Sequence, residues 1–293
     1  MTALRPAKPA RSVIELHVAV ILFGVAGLFG KLVSGSPELI ALARTSIAAI
    51  VLLLVLRFSK SRITVAPARQ LLPMITSGLL LACHWVSFFY AIQVSSVAIG
   101  LIGFAIFPVV VALLEPLVFG LNYKRVDIVC AAAVALGLVI VVPVFSISDV
   151  TTKGLVWAVV SGVLFALLTL VNRQTARTNE FRVIAFFQYT VASLLLLPFV
   201  LGMNDVTPGR TDILLLVILG LVFTAIPHTL FIKSLASVKA SHASVVVGLE
   251  PIYGILLAAL ILHEFPAQQT LLGAILVLGA VVVSSNAHRE KPT

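Results

Sequence analysis

The chain has 293 residues, of which 60% are hydrophobic and only 11% are charged, and its mean hydropathy is +1.17. Because a soluble domain carries about a quarter charged residues, this composition excludes an ordinary water-soluble protein. The net charge of +9 does not indicate a nucleic-acid partner, since the lysines and arginines are scattered between apolar blocks and form no basic stripe.

Apolar blocks between charges and helix breakers predict an all-α membrane protein with ten transmembrane helices, each about 20 residues long. The predicted spans are residues 12–33, 38–57, 70–91, 95–119, 124–145, 153–176, 182–201, 211–233, 240–262 and 267–287. Because the links are very short, neighbours in sequence are expected to be antiparallel in the bundle. Only Gln93, Ser95 and Ser96 separate the third span from the fourth, so a single re-entrant hairpin is the alternative in that region.

The first 30 residues also resemble a secretory signal, because Arg5, Lys8 and Arg11 precede an apolar run. That run, residues 13–33, is longer than the apolar core of a signal peptide, and Lys31 lies where cleavage would need small neutral residues. We therefore expect residues 1–11 to form an N-terminal tail and the first span to be retained in the membrane.

The distribution of Lys and Arg predicts how the spans are oriented. Sixteen cations fall on the side that holds both termini: Arg5, Lys8, Arg11, Arg57, Lys60, Arg62, Arg69, Lys124, Arg125, Arg173, Arg177, Arg182, Lys233, Lys239, Arg289 and Lys291. The other side has only Lys153 and Arg210, with Lys31 at a helix end. Since cationic links stay in the cytoplasm, the N-terminal tail and the C-terminal tail, residues 288–293, are expected to be cytoplasmic, in a bacterial inner membrane.

The two halves of the chain resemble each other at an offset of about 143 residues. Segment 98–108 pairs with segment 241–251, and both are rich in small residues and end in a proline. The pairing predicts two five-helix repeats, residues 12–145 and 153–287. Because five is odd, the second repeat enters the membrane from the opposite side, and such inverted repeats are the architecture of secondary transporters, whose substrate site lies near the midplane. A duplication without transport is the alternative.

With these features the chain resembles the drug/metabolite transporter superfamily, in particular its EamA-type members. The resemblance covers nearly the whole chain. It rests on the ten spans in two halves, on Gly-Leu-Glu-Pro at 248–251 followed by an apolar run that ends at His263 and Glu264, and on a final helix over 273–285. In the first half, Phe107 stands at the position of the Glu-Pro acidic residue, so that residue has no acidic counterpart there.

The resemblance implies both an architecture and an activity. It implies a central cavity lined by helices one to four and six to nine, with the fifth and tenth helices at the periphery. It also implies export of amino acids and related metabolites, and the aromatic-rich third helix points to aromatic amino acids among them. Two halves that meet at a central site predict alternating access, in which the site opens in turn to the cytoplasm and the exterior.

Arg44 and Glu250 are the ionisable residues placed most deeply in the predicted spans, where a charge costs about 2.5 kcal/mol or more. Arg44 lies about two turns into the second helix, and it is predicted to bind a substrate carboxylate through two N–H groups. Its alternatives are snorkelling to the interface and an ion pair with Glu38. Glu250, near mid-depth in the ninth helix, is the candidate for proton coupling, and a hydrogen-bonded structural carboxyl is its alternative.

A cluster of ring side chains is predicted in the third helix, where His84 and Trp85 are each followed four residues later by a phenylalanine. At the repeat offset, Trp85 corresponds to His228 in the eighth helix. The predicted substrate-binding set is Arg44, His84, Trp85, Phe88, Phe107, His228 and Tyr253. The alternative for each ring is a packing or lipid contact, and for each histidine a hydrogen bond within the core.

The remaining polar residues of the spans are predicted to have structural roles. Glu115 is interpreted as an ordinary interfacial glutamate, and Asn172 and Gln188 as polar groups that join helices. Cys83 and Cys130 lie in apolar segments and predict neither a disulfide nor a metal site.

Other function classes lack their motifs. No His-Glu-x-x-His motif, paired intramembrane aspartates or glycine-rich phosphate loop is present, so we predict no enzymatic activity, no cofactor and no metal. The main alternative is a sugar-phosphate or nucleotide-sugar carrier of the same superfamily, which would place several cations at the midplane, whereas only Arg44 lies there. The expected partners are a small-molecule substrate and the lipid bilayer, and the chain is expected to be a monomer or a homodimer.

Overall fold

The computed structural model describes residues 9–59, 68–122, 124–142, 144, 146, 148–203 and 208–288. The helices of these ranges are α1 (Pro9–Leu32), α2 (Pro37–Phe58), α3 (Ala68–Val94), α4 (Val97–Phe104), α5 (Phe107–Phe119), α6 (Arg125–Val141), α7 (Val150–Ala176), α8 (Phe181–Leu201), α9 (Arg210–Gly220), α10 (Ile226–Leu235), α11 (Ala240–Val247), α12 (Glu250–Ile261) and α13 (Gln268–His288). One π-helical turn, Leu221–Ala225, joins α9 to α10. Most of each predicted tail and the predicted cytoplasmic cations Lys60 and Arg62 lie outside the described residues.

Seven helical segments in the described part of the chain are long and apolar enough to cross a membrane. They are Ile14–Leu32, Pro37–Phe58, Leu71–Val94, Val97–Phe119, Val150–Ala176, Phe181–Leu201 and Arg210–Leu235, and the shorter apolar helices are Glu250–Ile261 and Gln268–Ser284. Large apolar side chains such as Phe58, Phe199 and Leu201 are exposed on the outside of the bundle, which requires a lipid environment. The prediction of an all-α integral membrane protein is confirmed.

Three of the predicted spans are not single α-helices. The fourth is interrupted at residues 105–106, between α4 and α5, and the ninth at residues 248–249, between α11 and α12. Pro108 and Pro251 occupy the first turn of the helix after each break, where a missing N–H costs no helical hydrogen bond. The eighth span contains the π turn. The third and fourth spans are separate segments, each long and apolar enough to cross a membrane by itself, so the single re-entrant hairpin is wrong.

The helices pack in pairs that join the two halves of the chain. The most extensive pairings are α3 with α7, α6 with α13 and α2 with α8, followed by α3 with α8, α4 with α7, and α1 with α12 and α10. The pair α6 and α13 lies apart from the main core, as the resemblance implied, and forms its own hydrophobic cluster with α4 and α5. These two helices approach closely, because a Cβ atom added at Gly273 would lie 2.6 Å from the Gly137 carbonyl oxygen.

The bundle has two faces, which are named here by the ends of its helices. The N-terminal face holds the beginning of α1 and the ends of α5, α7 and α10. The opposite face holds the ends of α1, α3 and α12 and the beginning of α7. Each interrupted span therefore has its break between the two faces, close to the middle of the bundle.

Candidate substrate cavity

A buried cavity lies at the level of the breaks, and seven of the predicted spans contribute side chains to it. Its lining residues are Phe23, Ala26, Arg44, His84, Trp85, Phe88, Phe104, Phe165, His228 and Glu250. All ten are less than 9% exposed. The cavity volume is about 30 Å³, which holds about two water molecules. An organic solute therefore needs a movement of helices or side chains to fit in the cavity.

Arg44 is almost fully buried, although a guanidinium in a bilayer is costly. Its Nε donates a hydrogen bond to Thr224 Oγ1 (3.0 Å), and its Nη2 donates to the Phe223 carbonyl (3.5 Å). Its guanidinium carbon lies 3.8 Å from the centre of the Trp85 ring. Snorkelling and the ion pair with Glu38 are therefore wrong, because the side chain points inward and is held by other partners. Nη1 has no hydrogen bond to any residue that the structure describes, and it is available to a ligand.

The π turn supplies the partners of Arg44. Pro227 has no N–H, so the Phe223 carbonyl, four residues earlier, lacks its usual α-helical donor and accepts from Arg44 instead. The Thr224 hydroxyl donates to the Leu219 carbonyl (2.7 Å) and accepts from Arg44. The Tyr189 hydroxyl donates to the Thr224 carbonyl (3.1 Å). Sequence reasoning missed this arrangement, and its signal is a proline within an apolar span, which π turns at functional sites accommodate.

Glu250 brings the only carboxyl group of the lining set into the cavity. It is the first residue of α12, just after the break, and the positive end of a helix dipole favours a carboxylate there. Within the described ranges its carboxyl group has neither a hydrogen bond nor an ion pair. Arg44 lines the same cavity, but its guanidinium nitrogens are not within 4.0 Å of the Glu250 carboxylate oxygens. The cavity thus holds one basic and one acidic side chain that do not neutralise each other by contact.

His84 is held by Ser161 of α7. Its Nδ1 lies 2.8 Å from Ser161 Oγ and 3.1 Å from the Ser161 carbonyl oxygen. The ring is surrounded by aromatic side chains, with centroid distances of 4.8 Å to Phe165 and 5.3 Å to Phe104. Ser161 fixes the plane of the imidazole, so the ring forms a rigid wall of the cavity.

His228 is held by a buried chain of amide groups. Its Nε2 donates to Gln188 Oε1 (3.1 Å), and Gln188 Nε2 donates to Asn172 Oδ1. The prediction that Asn172 and Gln188 join helices is confirmed, and both residues also orient an imidazole that lines the cavity. The His228 ring centroid lies 5.7 Å from that of Trp85, so two residues that correspond at the repeat offset face each other.

Six of the eight predicted site residues line the cavity, and two do not. Arg44, His84, Trp85, Phe88, His228 and Glu250 all line the cavity. Phe107 lies behind the lining and stacks on Phe104 at 4.9 Å, and Tyr253 packs beside Gly24 between α12 and α1. Neither is a lining residue. Among the residues that the structure describes, no group of three or more His, Cys, Asp or Glu side chains is placed to hold a metal ion.

Several lining residues were not predicted from the sequence. Phe23 and Ala26 come from α1, Phe104 from the end of α4, and Phe165 from α7. The resemblance implied that the seventh span also lines the cavity. That span, α8, contributes none of the lining residues and instead supports them through Gln188 and Tyr189.

The sequence-based interpretation of Glu115 as an interfacial residue is wrong. Glu115 is not an ordinary interfacial glutamate, because it is only 2% exposed. Its two carboxylate oxygens accept hydrogen bonds from the backbone N–H groups of Ala240 (2.9 Å) and Ser241 (3.0 Å). It therefore caps the beginning of α11, in the other half of the chain.

Known proteins resemble this chain over most of its length. The EamA-like transporter family matches residues 11–142 and again residues 152–286. The uncharacterized transporter YxxF of Bacillus subtilis (strain 168) is 21% identical over 279 residues, 93% of this chain and 89% of that protein. An uncharacterized transporter of Archaeoglobus fulgidus is 26% identical over 219 residues, 74% of this chain and 77% of that one.

A solved crystal structure supports the same fold. It covers 95% of this chain and 97% of its own with a TM-score of 0.72, at 17% sequence identity. At that identity the likeness concerns the fold alone. The family match, by contrast, extends over nearly the entire chain, and the relatives are named as transporters. This chain is therefore a membrane transporter that belongs to the EamA-like transporter family.

Proposed function

We propose that the chain is a secondary transporter that exports amino acids, with aromatic ones preferred, or related small metabolites, by alternating access. The observation that carries this proposal is that a guanidinium group and a carboxyl group line the same aromatic cavity without contacting each other. A free amino acid offers the three complementary groups: a carboxylate, an ammonium and a side chain.

Each of these three groups has a partner in the cavity. The free Nη1 of Arg44 and its neighbouring N–H groups suit a carboxylate, which guanidinium groups bind through parallel hydrogen bonds. Glu250 suits the ammonium group. The rings of Trp85, Phe88 and Phe165 offer faces and edges to an aromatic side chain, whose pairings with rings contribute about 0.5–1.5 kcal/mol each beyond area burial.

The charges of the cavity favour this substrate over a phosphorylated one. A sugar-phosphate or nucleotide-sugar carrier needs several cations around a phosphate, and Arg44 is the single cation of the lining set. Lys233 is not available to the cavity, because its ammonium group forms a 2.5 Å ion pair with Glu15 of α1. A phosphorylated solute is therefore the less supported alternative.

Three observations support two inverted five-helix halves, residues 12–145 and 153–287. The family matches the chain twice, once in each half. The helix break at 105–106 recurs at 248–249, an offset of 143 positions. The glycine contacts between α2, α3, α8 and α9 also recur: a Cβ atom at Gly78 would meet Val191 at 2.5 Å, and one at Gly220 would meet Ile47 at 2.6 Å.

The orientation belongs to the same proposal. The excess of Lys and Arg on the side of the termini supports a cytoplasmic N-terminal face, in a bacterial inner membrane. Export then means loading from the N-terminal face and release at the opposite face. Proton coupling through Glu250 is part of the same proposal, because this buried carboxyl group lines the cavity, and facilitated diffusion is the alternative.

Uptake by liposomes that contain the purified protein tests this proposal. The panel consists of labelled phenylalanine, tryptophan, leucine and glutamate, with a labelled sugar phosphate as the competing class. We expect aromatic amino acids to equilibrate faster than in protein-free liposomes, and an R44A variant to lose this uptake. Transport of the sugar phosphate without any amino acid would overturn the substrate class and leave the transporter family unaffected.

A further inference from the structure

Each face of the bundle has a polar contact that ties the first helix of an interrupted span to the other half of the chain. These first helices are α4 and α11. Each contact consists of a cation that binds the backbone just before the helix and a carboxylate that caps the helix N-terminus. We call the two contacts the opposite-face latch and the N-terminal-face latch.

The opposite-face latch is formed by Lys31, at the end of α1, and Glu264, after α12. Lys31 Nζ donates to the carbonyl oxygens of Ser95 (2.9 Å) and Gln93 (3.3 Å), just before α4. The backbone N–H of Val97, the first residue of α4, donates to Glu264 Oε1 (3.1 Å). Two side chains from different halves of the chain therefore hold the beginning of α4 in place.

The N-terminal-face latch is formed by Arg173, near the end of α7, and Glu115 of α5. Arg173 Nη1 donates to the Val238 carbonyl oxygen (2.7 Å), just before α11. The N–H groups of Ala240 and Ser241, at the beginning of α11, donate to the Glu115 carboxylate. Arg173 Nε also lies 3.3 Å from Glu115 Oε1, in an ion pair.

The two latches correspond at the repeat offset. The matching pairs are Lys31 with Arg173 at 142 positions, Ser95 with Val238 at 143, and Val97 with Ala240 at 143. The carboxylates do not correspond in the same way, since Glu115 lies within its helix and Glu264 follows its helix. The same contact is thus built twice, with its acidic member supplied from a different place each time.

The latches lie at opposite ends of α7. Ser95 packs on Gly154, near the beginning of this helix, where a Cβ atom would lie 2.1 Å from Ser95 Oγ. Arg173 lies near its end. The 19 positions between Gly154 and Arg173 correspond to about 28 Å along the helix axis, which is close to the thickness of a bilayer core.

Both latched helices lead directly into the cavity. The last residue of α4 is Phe104, which lines the cavity, and the break after α11 is followed by Glu250, which also lines it. A movement of either helix therefore shifts a cavity wall. In this structure both latches are formed and the cavity volume is about 30 Å³.

From this arrangement we propose that the two latches are the gates of the transporter, and that the opposite-face latch opens more readily than the N-terminal-face latch. The proposal rests on the alternating access proposed above. Lys31 is exposed, and Glu264 is half-buried and not within 4.0 Å of Lys31, so water competes for both side chains. Arg173 and Glu115 are paired and buried, with side-chain exposures of 11% and 3%, and breaking a buried pair is far more costly.

Side-specific labelling of a cavity cysteine tests the proposal. The background carries C83S and C130A, and the reporter is A26C, on the cavity wall. A membrane-impermeant maleimide is added to one side of sealed vesicles at a time. S34C and N122C, at exposed positions of the opposite and N-terminal faces, identify the side that each addition reaches.

We expect the reporter to react faster from the opposite face in the background protein. K31M with E264Q should raise the rate from that face by about tenfold, the change that a modest shift of a two-state equilibrium produces, and should not raise it from the N-terminal face. E115Q should raise the rate from the N-terminal face. E180Q, which removes a local pair with Arg182, is the matched control and should change neither.

Equal changes from both faces, or no change in either variant, would overturn the proposal. If E115Q does not fold, as its Tm in detergent would show, R173K takes its place and should likewise raise the labelling rate from the N-terminal face. The K31M with E264Q variant tests the opposite-face latch in either case. The labelling needs no substrate. Side-specific changes without amino-acid transport would therefore reject the substrate and keep the latches, whereas normal transport with unchanged labelling would reject the latches alone.

Discussion

The guanidinium group of Arg44 stacks on the indole ring of Trp85, with 3.8 Å between the guanidinium carbon and the ring centre. A cation over an aromatic ring contributes about 2 kcal/mol when the pair is desolvated. Trp85 therefore holds the plane of the guanidinium, while the backbone and hydroxyl of the π turn hold its Nε and Nη2. Nη1 has no hydrogen bond among the described residues, and under the proposed function it binds the substrate carboxylate.

Substituting Arg44 with lysine should weaken substrate binding even though the charge is kept. An ammonium group neither stacks as a plane nor makes two parallel hydrogen bonds, and a hydrogen bond to a charged group contributes about 1.5–3 kcal/mol. We expect the Kd for phenylalanine to rise by about tenfold or more in R44K. R210K, at the exposed beginning of α9, should keep the original Kd. Calorimetry on the purified protein measures both, and an unchanged Kd in R44K would remove Arg44 from the site.

The two tryptophans allow substrate binding to be observed by fluorescence. Trp85 lines the cavity, whereas Trp157 is 40% exposed near the beginning of α7 and contacts Tyr90 at 5.4 Å. A carboxylate that binds Arg44 should change the electrostatic surroundings of the stacked indole and therefore its emission. We expect a saturable change with substrate in W157F, which keeps Trp85, and none in W85F. A response that survives in W85F and is lost in W157F would place the ligand outside the cavity.

Replacing Glu250 by glutamine should separate coupled transport from exchange. The amide keeps the shape of the side chain and removes its ability to carry a proton. We expect E250Q liposomes to lose accumulation driven by a pH gradient and to keep exchange of labelled for unlabelled substrate at a reduced rate, because the amide oxygen still accepts a hydrogen bond from the ammonium group but carries no charge. E38Q, at a half-buried position of α2 outside the cavity, is the control. Gradient-driven accumulation that persists in E250Q would remove this carboxyl group from proton coupling.

Two glycines of α13 should respond in opposite ways to alanine. A Cβ atom at Gly273 would lie 2.4 Å from Val141 Cγ2 and 2.6 Å from the Gly137 carbonyl, whereas nothing lies within 4 Å of one at Gly279. Overpacking costs about 1–3 kcal/mol, so G273A should lower the Tm in detergent by several degrees. G279A should keep or raise the Tm, because alanine favours a helix by about 1 kcal/mol over glycine. Equal Tm values for both variants would contradict the close α6–α13 contact.

Much of the architecture could be predicted from the sequence, because each crossing of a membrane needs about 20 consecutive, mostly apolar residues. Apolar length gives the spans, and each predicted span overlaps helical residues. Trp85 and His228, which the repeat offset pairs, both line the cavity, and their ring centroids lie 5.7 Å apart. Arg44 and Glu250 were identifiable because an ionisable residue in an apolar span is energetically costly and therefore rare unless it has a function.

The rest of the site depends on contacts that no local pattern encodes. Phe104 and Phe165 are ordinary apolar residues in sequence, and they line the cavity only because the break at 105–106 and the packing of α7 bring them there. Glu115 lies close in sequence to Lys124 and Arg125, but its partners are the N–H groups of α11, about 125 positions away. Thr224 gains its role from a π turn, a change of register that composition does not reveal.

The most direct test of the central claim is counterflow in liposomes. Vesicles loaded with unlabelled phenylalanine are diluted into a trace of the labelled form, so the measurement detects a carrier whether or not it is coupled to protons. We predict a transient accumulation of label with the wild-type protein, and a rate in R44A close to that of protein-free vesicles. Equal accumulation by the wild type and R44A, or none by the wild type for any amino acid, would contradict the account.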